Sequence, residues 1–275
     1  SIGRAATLGL WFLPIYLGPT LAMVLAWMVV RKMIRISRSY RITSIADFIA
    51  SRYGKSRLLA GLVTLIAVIG ILPYVALQLK AIAIGFEVMT TPVGAPHAAP
   101  GAWWSDSTFY IALLLAGFTV AFGTRHLDTT ERHEGMVAAI AFESVVKLAA
   151  FLAVGIFVTW GMFDGPADLF ARARALPEAV RVLRFEADTG FAGAQWFTLL
   201  LLSMFSVVFL PRQFQVLVVE NVDERHLKRA VWAFPLYMLA INLFVLPIAL
   251  AGLLHFGPGQ ANAETFILTL PLSTG

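Results

Sequence analysis

The residues whose types and spacing could do chemistry sit between Leu199 and Glu220, where the chain reads LLLLSMFSVVFLPRQFQVLVVE. Ser203 and Ser206 precede Pro211 in an apolar run, and Arg212, Gln213 and Gln215 follow the proline at once. A proline removes a backbone donor and clashes with the preceding turn, so it is costly inside a spanning helix unless the break is used. A broken helix can expose backbone groups and hydroxyls to a central cavity, which is binding chemistry rather than bond-making. Two readings fit. Either Ser203, Ser206, Pro211 and Gln213 contact a solute there, or the serines only pack between helices and the membrane ends near Leu210.

Ionisable side chains within apolar runs are the next candidates, because a charge in a bilayer is costly to keep. Glu143 and Lys147 are an i, i+4 pair with the acid first, either a self-neutralised pair or a gating or coupling-ion contact. Lys80 and Glu87 share one helical face; they either reach a partner or snorkel to the interface. Arg212 is a fixed charge beside the break or a headgroup anchor. His126 and His133 lie seven residues apart in a short loop of mixed charge, and no metal site is expected there. No nucleophilic triad, phosphate-binding loop or dinucleotide fingerprint is present, so no catalytic residue is assigned.

These residues need elements to position them, and composition says which. The chain has 275 residues, 59% hydrophobic and 13% charged, about half the charge of a soluble domain. Its mean hydropathy is +0.79. It is expected to be an all-α integral membrane protein. Apolar runs near 8–30, 59–88, 107–123, 136–162, 195–217 and 230–256 give six transmembrane helices. Without cysteine there is no disulfide or thiolate site. The chain opens on Ser1 and stops at Gly275 within a further apolar segment, as a piece of a longer protein would.

Lysine and arginine set the expected orientation. Segments 31–57, 124–134 and 212–229 carry eight, two and four of them, whereas 90–106, 163–194 and 257–275 carry none, four and none. The basic segments are therefore expected in the cytoplasm and both ends outside, and the pI near 9.7 follows from topology rather than from a nucleic-acid partner. Segment 31–57 reads as a basic loop with a short helix from Ser44, in which Asp47 could pair with Arg52 or Arg57 and Ile45, Phe48 and Ile49 face the membrane lipid. Residues 163–194 form an external loop whose 167–185 stretch, split by Pro177, should give two short helices on the bilayer surface. Residues 94–101 read as an external turn. The whole, 1–275, is one membrane domain.

Two strings carry a resemblance. TSIADFIASRYGKSR at 43–57 and FLPRQ at 209–213 resemble the sodium/solute symporter family, whose LeuT-type inverted-repeat fold implies that this chain is a fragment covering about core helices 2–7. More narrowly, FGTRHLDTTERHEG at 122–135, AIAFESVVKL at 139–148, LPRQFQVLVVE at 210–220, DERH at 223–226 and FPLY at 234–237 resemble the symporter-like input domains of Cbr-type sensor histidine kinases. That implies a multi-pass protein of a bacterial inner membrane that binds or transports a small nutrient, such as the amino acid histidine. It also implies a C-terminal kinase on the same chain, itself an enzyme, with a cognate response regulator. Sodium would be the coupling ion, with its ligands on helices outside this chain. A stand-alone transporter and a non-transporting scaffold are the alternatives. One departure stands out: the family's Gly-Gln-Pro-His-like pattern is Leu-Pro-Arg-Gln here.

Overall fold

The computed structural model describes residues 2–25, 27–90, 107–123, 134–183, 192–221, 223–257, 259 and 262–274. In chain order its α-helices are α1 (Ile2–Leu8), α2 (Pro14–Leu25), α3 (Trp27–Tyr40), α4 (Ile45–Arg52), α5 (Arg57–Thr90), α6 (Ser107–Phe118) and α7 (Glu134–Ile156). There follow α8 (Pro166–Arg174), α9 (Pro177–Leu183), α10 (Ala192–Phe209), α11 (Pro211–Phe214), α12 (Arg225–Asn242), α13 (Val245–Phe256) and α14 (Phe266–Thr274). No strand occurs among the described residues. The protein is an all-α membrane protein.

Each of the six apolar runs is helical, yet they differ in how they cross. Arg57–Thr90, Ala138–Met162 and Arg225–Phe256 are each long and apolar enough to span a bilayer. Two more spans are bent pairs: Ile2–Phe12 with Pro14–Leu25 at 66°, and Gly193–Phe209 with Pro211–Val219 at 49°. The run at 107–123 is a shorter apolar helix, Thr108–Ala121. Length and composition thus give three spans among the described residues, or five with the bent pairs.

The chain falls into two compact units, Ser1–Ile45 with His133–Gly275, and Ala46–Arg132. In the first, α13 is the hub: Ile248, Ala249, Leu250 and Ala251 are fully buried against α1, α8 and the end of α7. Small residues on its neighbours, Ala5, Ala6, Ala173 and Ala179, let the backbones approach closely, as membrane packing requires. Leu169, Ala173, Ala179 and Val182 put α8 and α9 into this core, and Pro177 opens α9. The two short helices expected on either side of Pro177 are both present, and their apolar faces dock on protein, α8 against α13 and α9 against α1. Residues 184 and 185 of that stretch, and all of 94–101, lie outside the described residues.

The basic segment after the first span also differs from a loop. It continues as helix α3, in which Val30, Ile34 and Ser37 form a buried stripe at i, i+4 and i+7. Arginine and lysine are good helix formers, so the polar face does not break it. The helix ends where Arg41 takes φ 51° and the Ile42 amide donates to the Ser37 carbonyl at 2.9 Å.

The second unit is built on α5, 34 residues long and unbroken through Pro73, with α6 packed along it. None of the residues in its most apolar 18-residue window is buried, the pattern of a helix whose surroundings are lipid or further protein. Lys80 and Glu87 are exposed on it. In α4, Ala46 and Ala50 are the buried side, while Ile45, Phe48 and Ile49 are half-buried. Asp47 stands in its first turn, half-buried, and the exposed Arg52 closes it.

Candidate functional site

The two bent spans lie against each other, and among the described residues the pairing of α2 with α10 is the most extensive between two helices. Each bend has a local cause. A residue before proline is pushed off helical geometry, and Leu210 takes φ −69° and ψ 129° in front of Pro211. The break is one residue wide: the Leu210 amide still donates to Ser206 at 3.1 Å, and the helix restarts with Phe214 donating to Leu210 at 2.9 Å. Pro211 has no amide hydrogen to give the Val207 carbonyl. In the first span, α1 passes into a tight turn over Gly9–Phe12 before Pro14 opens α2. Gly9 takes φ 59°, and a Cβ there would fall 2.1 Å from the Val182 carbonyl oxygen of α9.

At the crossing, Gly18 sits flush on α10. A Cβ there would fall 2.5 Å from Ser203 Cβ and 2.7 Å from both the Leu200 oxygen and the Met204 nitrogen. Ser203 therefore faces α2 and is half-buried, and Ser206 donates its hydroxyl to the Ser203 carbonyl at 2.7 Å. One turn beyond, Pro211 and Gln213 are half-buried and Arg212 is exposed. The structure thus brings Ser203 and Ser206 to the crossing and sets Pro211 and Gln213 on the short helix after it. Thr20 donates to the Tyr16 carbonyl at 2.8 Å in the turn around Pro19.

The same two spans are tied again further along, so they run in parallel. Arg35 grips Glu224 through both carboxylate oxygens, at 2.8 and 3.0 Å, and Arg31 adds a bond at 3.1 Å. Arg38 donates to the backbone and side-chain oxygens of Asn221 at 2.8 and 3.2 Å. Hydrogen bonds from Arg35 and then Arg31 hold the Glu224 carboxyl down at about 2. The same bond raises Arg35. A small cavity of about 70 Å³, lined by Trp27, Arg31, Glu224 and Lys228, adjoins the cluster. Sequence reasoning missed this clamp, although Arg31, Arg35 and Arg38 at helical spacing on an amphipathic stretch, with Glu224 just past the broken helix, were its signal.

Among curated proteins, the chain is similar to an uncharacterized symporter, YhjB, of Bacillus subtilis (strain 168), at 22% identity over 253 residues. The match covers 92% of this chain and 47% of that protein, so the chain spans about half the length of the curated relative. No family model matches, and no solved structure matches. With its apolar helices, this likeness makes the chain a transporter-like, multi-pass membrane protein.

The remaining candidates are on other elements. Glu143 and Lys147 form an ion pair on α7, both exposed, at 57% and 68% of their side chains. Beside them the Tyr237 hydroxyl of α12 donates to the Ser144 carbonyl at 3.4 Å. Lys80, Asp47 and Arg52 belong to the other compact unit, apart from Ile45 at its edge. His126 and His133 lie outside the described residues, and among those described no group of three metal-ligating side chains occurs. One polar atom was not anticipated: the Asn242 Oδ1 is buried without a hydrogen-bond partner where α12 gives way to α13, while its Nδ2 donates to the Met238 carbonyl at 2.6 Å.

Proposed function

We propose that this chain is the solute-handling part of a sodium/solute symporter of LeuT-type inverted-repeat fold, covering about core helices 2–7. The observation that carries the reading is the pair of bent spans, 66° and 49°, packed together at Gly18 and Ser203. Broken helices in a bilayer are tolerated where they meet protein or a cavity, and in transporters that is where solute binds. Ser203, Ser206, Pro211 and Gln213 contact a small nutrient, an amino acid such as histidine, and Arg212 stands at the cytoplasmic end of the path. Sodium is the co-transported substrate, held mostly by residues outside this chain. Lys80, Glu143 and Lys147 serve as gating or ion-pair positions, and the basic segments lie in the cytoplasm of a bacterial inner membrane, with both ends of the chain outside.

The test is uptake of radiolabelled amino acids by full-length protein in proteoliposomes, with and without a sodium gradient. Pro211→Ala, which returns a donor to the Val207 carbonyl and straightens the bend, should cut uptake about tenfold or more while insertion stays normal, because misplacing a binding segment by about 1 Å costs that much. Absence of uptake by the full-length protein sinks the reading in favour of a scaffold, and wild-type uptake in Pro211→Ala and in bulky replacements of Ser203 and Ser206 sinks the placement of the solute site at this crossing. The strings at 122–135 and 210–220 support a further role as the input domain of a sensor histidine kinase on the same chain, signalling to a response regulator. Solute-dependent autophosphorylation of the full-length protein tests that role, and a full-length chain without a kinase core leaves the stand-alone transporter.

A further inference from the structure

In the first compact unit, α1, α9 and the turn leading into α14 line a half-open cavity of about 520 Å³. That lies within the range of small-molecule sites, roughly 300–1,000 Å³. The cavity stands at the start of the first bent span, at the opposite end from the Arg31–Glu224 clamp. Its charged lining is Arg4 of α1, Glu178 and Arg181 of α9, and Glu264 ahead of α14, with Thr7 and Asn262 between them. The wall behind is fixed. Ala6, Val182 and Phe266 are buried under it, and Gly3 lies so near Glu264 that a Cβ would fall 2.8 Å from its Cγ.

These charges do not satisfy one another. Among the described residues, none of the four side chains has an ion pair or a side-chain hydrogen bond, although Glu178 and Arg181 stand one turn apart on one helix. Two guanidiniums and two carboxylates leave the lining neutral overall. A lone anion would gain from the arginines and lose to the glutamates, and a lone cation the reverse. A molecule bearing both charges a few atoms apart gains from all four. Thr7 gives its hydroxyl hydrogen to the Gly3 carbonyl at 2.9 Å, which leaves its oxygen to accept from an ammonium.

We propose that this cavity binds a small zwitterion of the α-amino-acid type, its carboxylate held by Arg4 and Arg181 and its ammonium by Glu178 and Glu264. It is a second site, distinct from the Ser203 crossing. It rests on the transport reading for its role as a collecting site but not for its chemistry. A zwitterionic lipid headgroup shares that chemistry, so the experiment must separate the two.

Full-length protein in nanodiscs is titrated with each common L-amino acid in turn, following thermal stabilisation, in discs with and without phosphatidylethanolamine. For the strongest binder, the hydroxy acid lacking the ammonium and the amino alcohol lacking the carboxylate are compared. The expected result is stabilisation by at least one amino acid in both discs, with each analogue about tenfold or more weaker, the loss of one charge-assisted contact. Arg4→Gln with Arg181→Gln, and separately Glu178→Gln with Glu264→Gln, should weaken binding by at least as much; all four residues are exposed, so insertion is unaffected. No stabilising amino acid, unchanged binding in both double variants, or stabilisation that follows phosphatidylethanolamine alone each overturns the proposal. Binding retained at this cavity with uptake absent sinks the transport reading instead.

Discussion

Gly18→Ala is the sharpest perturbation of the crossing between the bent spans. Ordinary contact begins at 3.4 Å, so the new methyl would be about 0.9 Å too close to Ser203 Cβ and about 0.7 Å too close to the Leu200 oxygen and the Met204 nitrogen. Two of those three atoms are backbone and cannot rotate away. The helices must part, and forcing an extra carbon into a packed contact costs about 1–3 kcal/mol. The assay is reversible unfolding of full-length protein in mild detergent, with uptake measured in parallel. Gly61→Ala is the internal control, since nothing lies within 4 Å of a Cβ at that position on α5. Adding Ser203→Gly removes one of the three overlaps and should restore only part of the loss. Stability of Gly18→Ala within about 0.5 kcal/mol of wild type, the range of neutral surface changes, would refute the close crossing. Full rescue by Ser203→Gly would refute the dominance of the backbone contacts.

The clamp makes a pH prediction. Glu224 is held near 2 against an ordinary value of 4.5, so its contribution to stability is full above about pH 4.5 and is lost as pH falls toward 2. Glu224→Gln should be less stable than wild type at neutral pH, with the gap closing over that window in thermal melts; a gap that persists at pH 2 contradicts the assignment. Because Arg35 is well exposed, added salt should narrow the same gap. On α7, Glu143→Gln alone or Lys147→Gln alone leaves one unpaired charge on a spanning helix and should lower the yield of inserted protein, whereas the double variant should recover it. Equal yields in all three would show that the pair does not matter to insertion.

The helical membrane architecture could be read from the sequence because it depends on local composition. Runs of some twenty apolar residues have no other way to satisfy their backbone in a bilayer. Pro211 was legible as a break for the same reason, since a missing amide acts on its own helix. The packing of the first bend was harder to see: Gly9 and Pro14 stand in the sequence, but the close approach of Gly9 to the Val182 carbonyl of α9, far along the chain, does not. Likewise α3 looked like a loop because its charges are local, while the partner that gives them order, Glu224, is 189 residues from Arg35.

The opening stretch, Leu199 to Glu220, shows where that boundary falls. Its sequence determined a helix, its break and the polar residues around it. Only the tertiary structure decided that Ser203 faces Gly18 on a second bent span, that the two spans run in parallel, and that Arg31, Arg35 and Arg38 fasten them beyond the break. Those contacts join segments almost 200 residues apart, and their geometry comes from helix packing, which no local pattern of residues encodes.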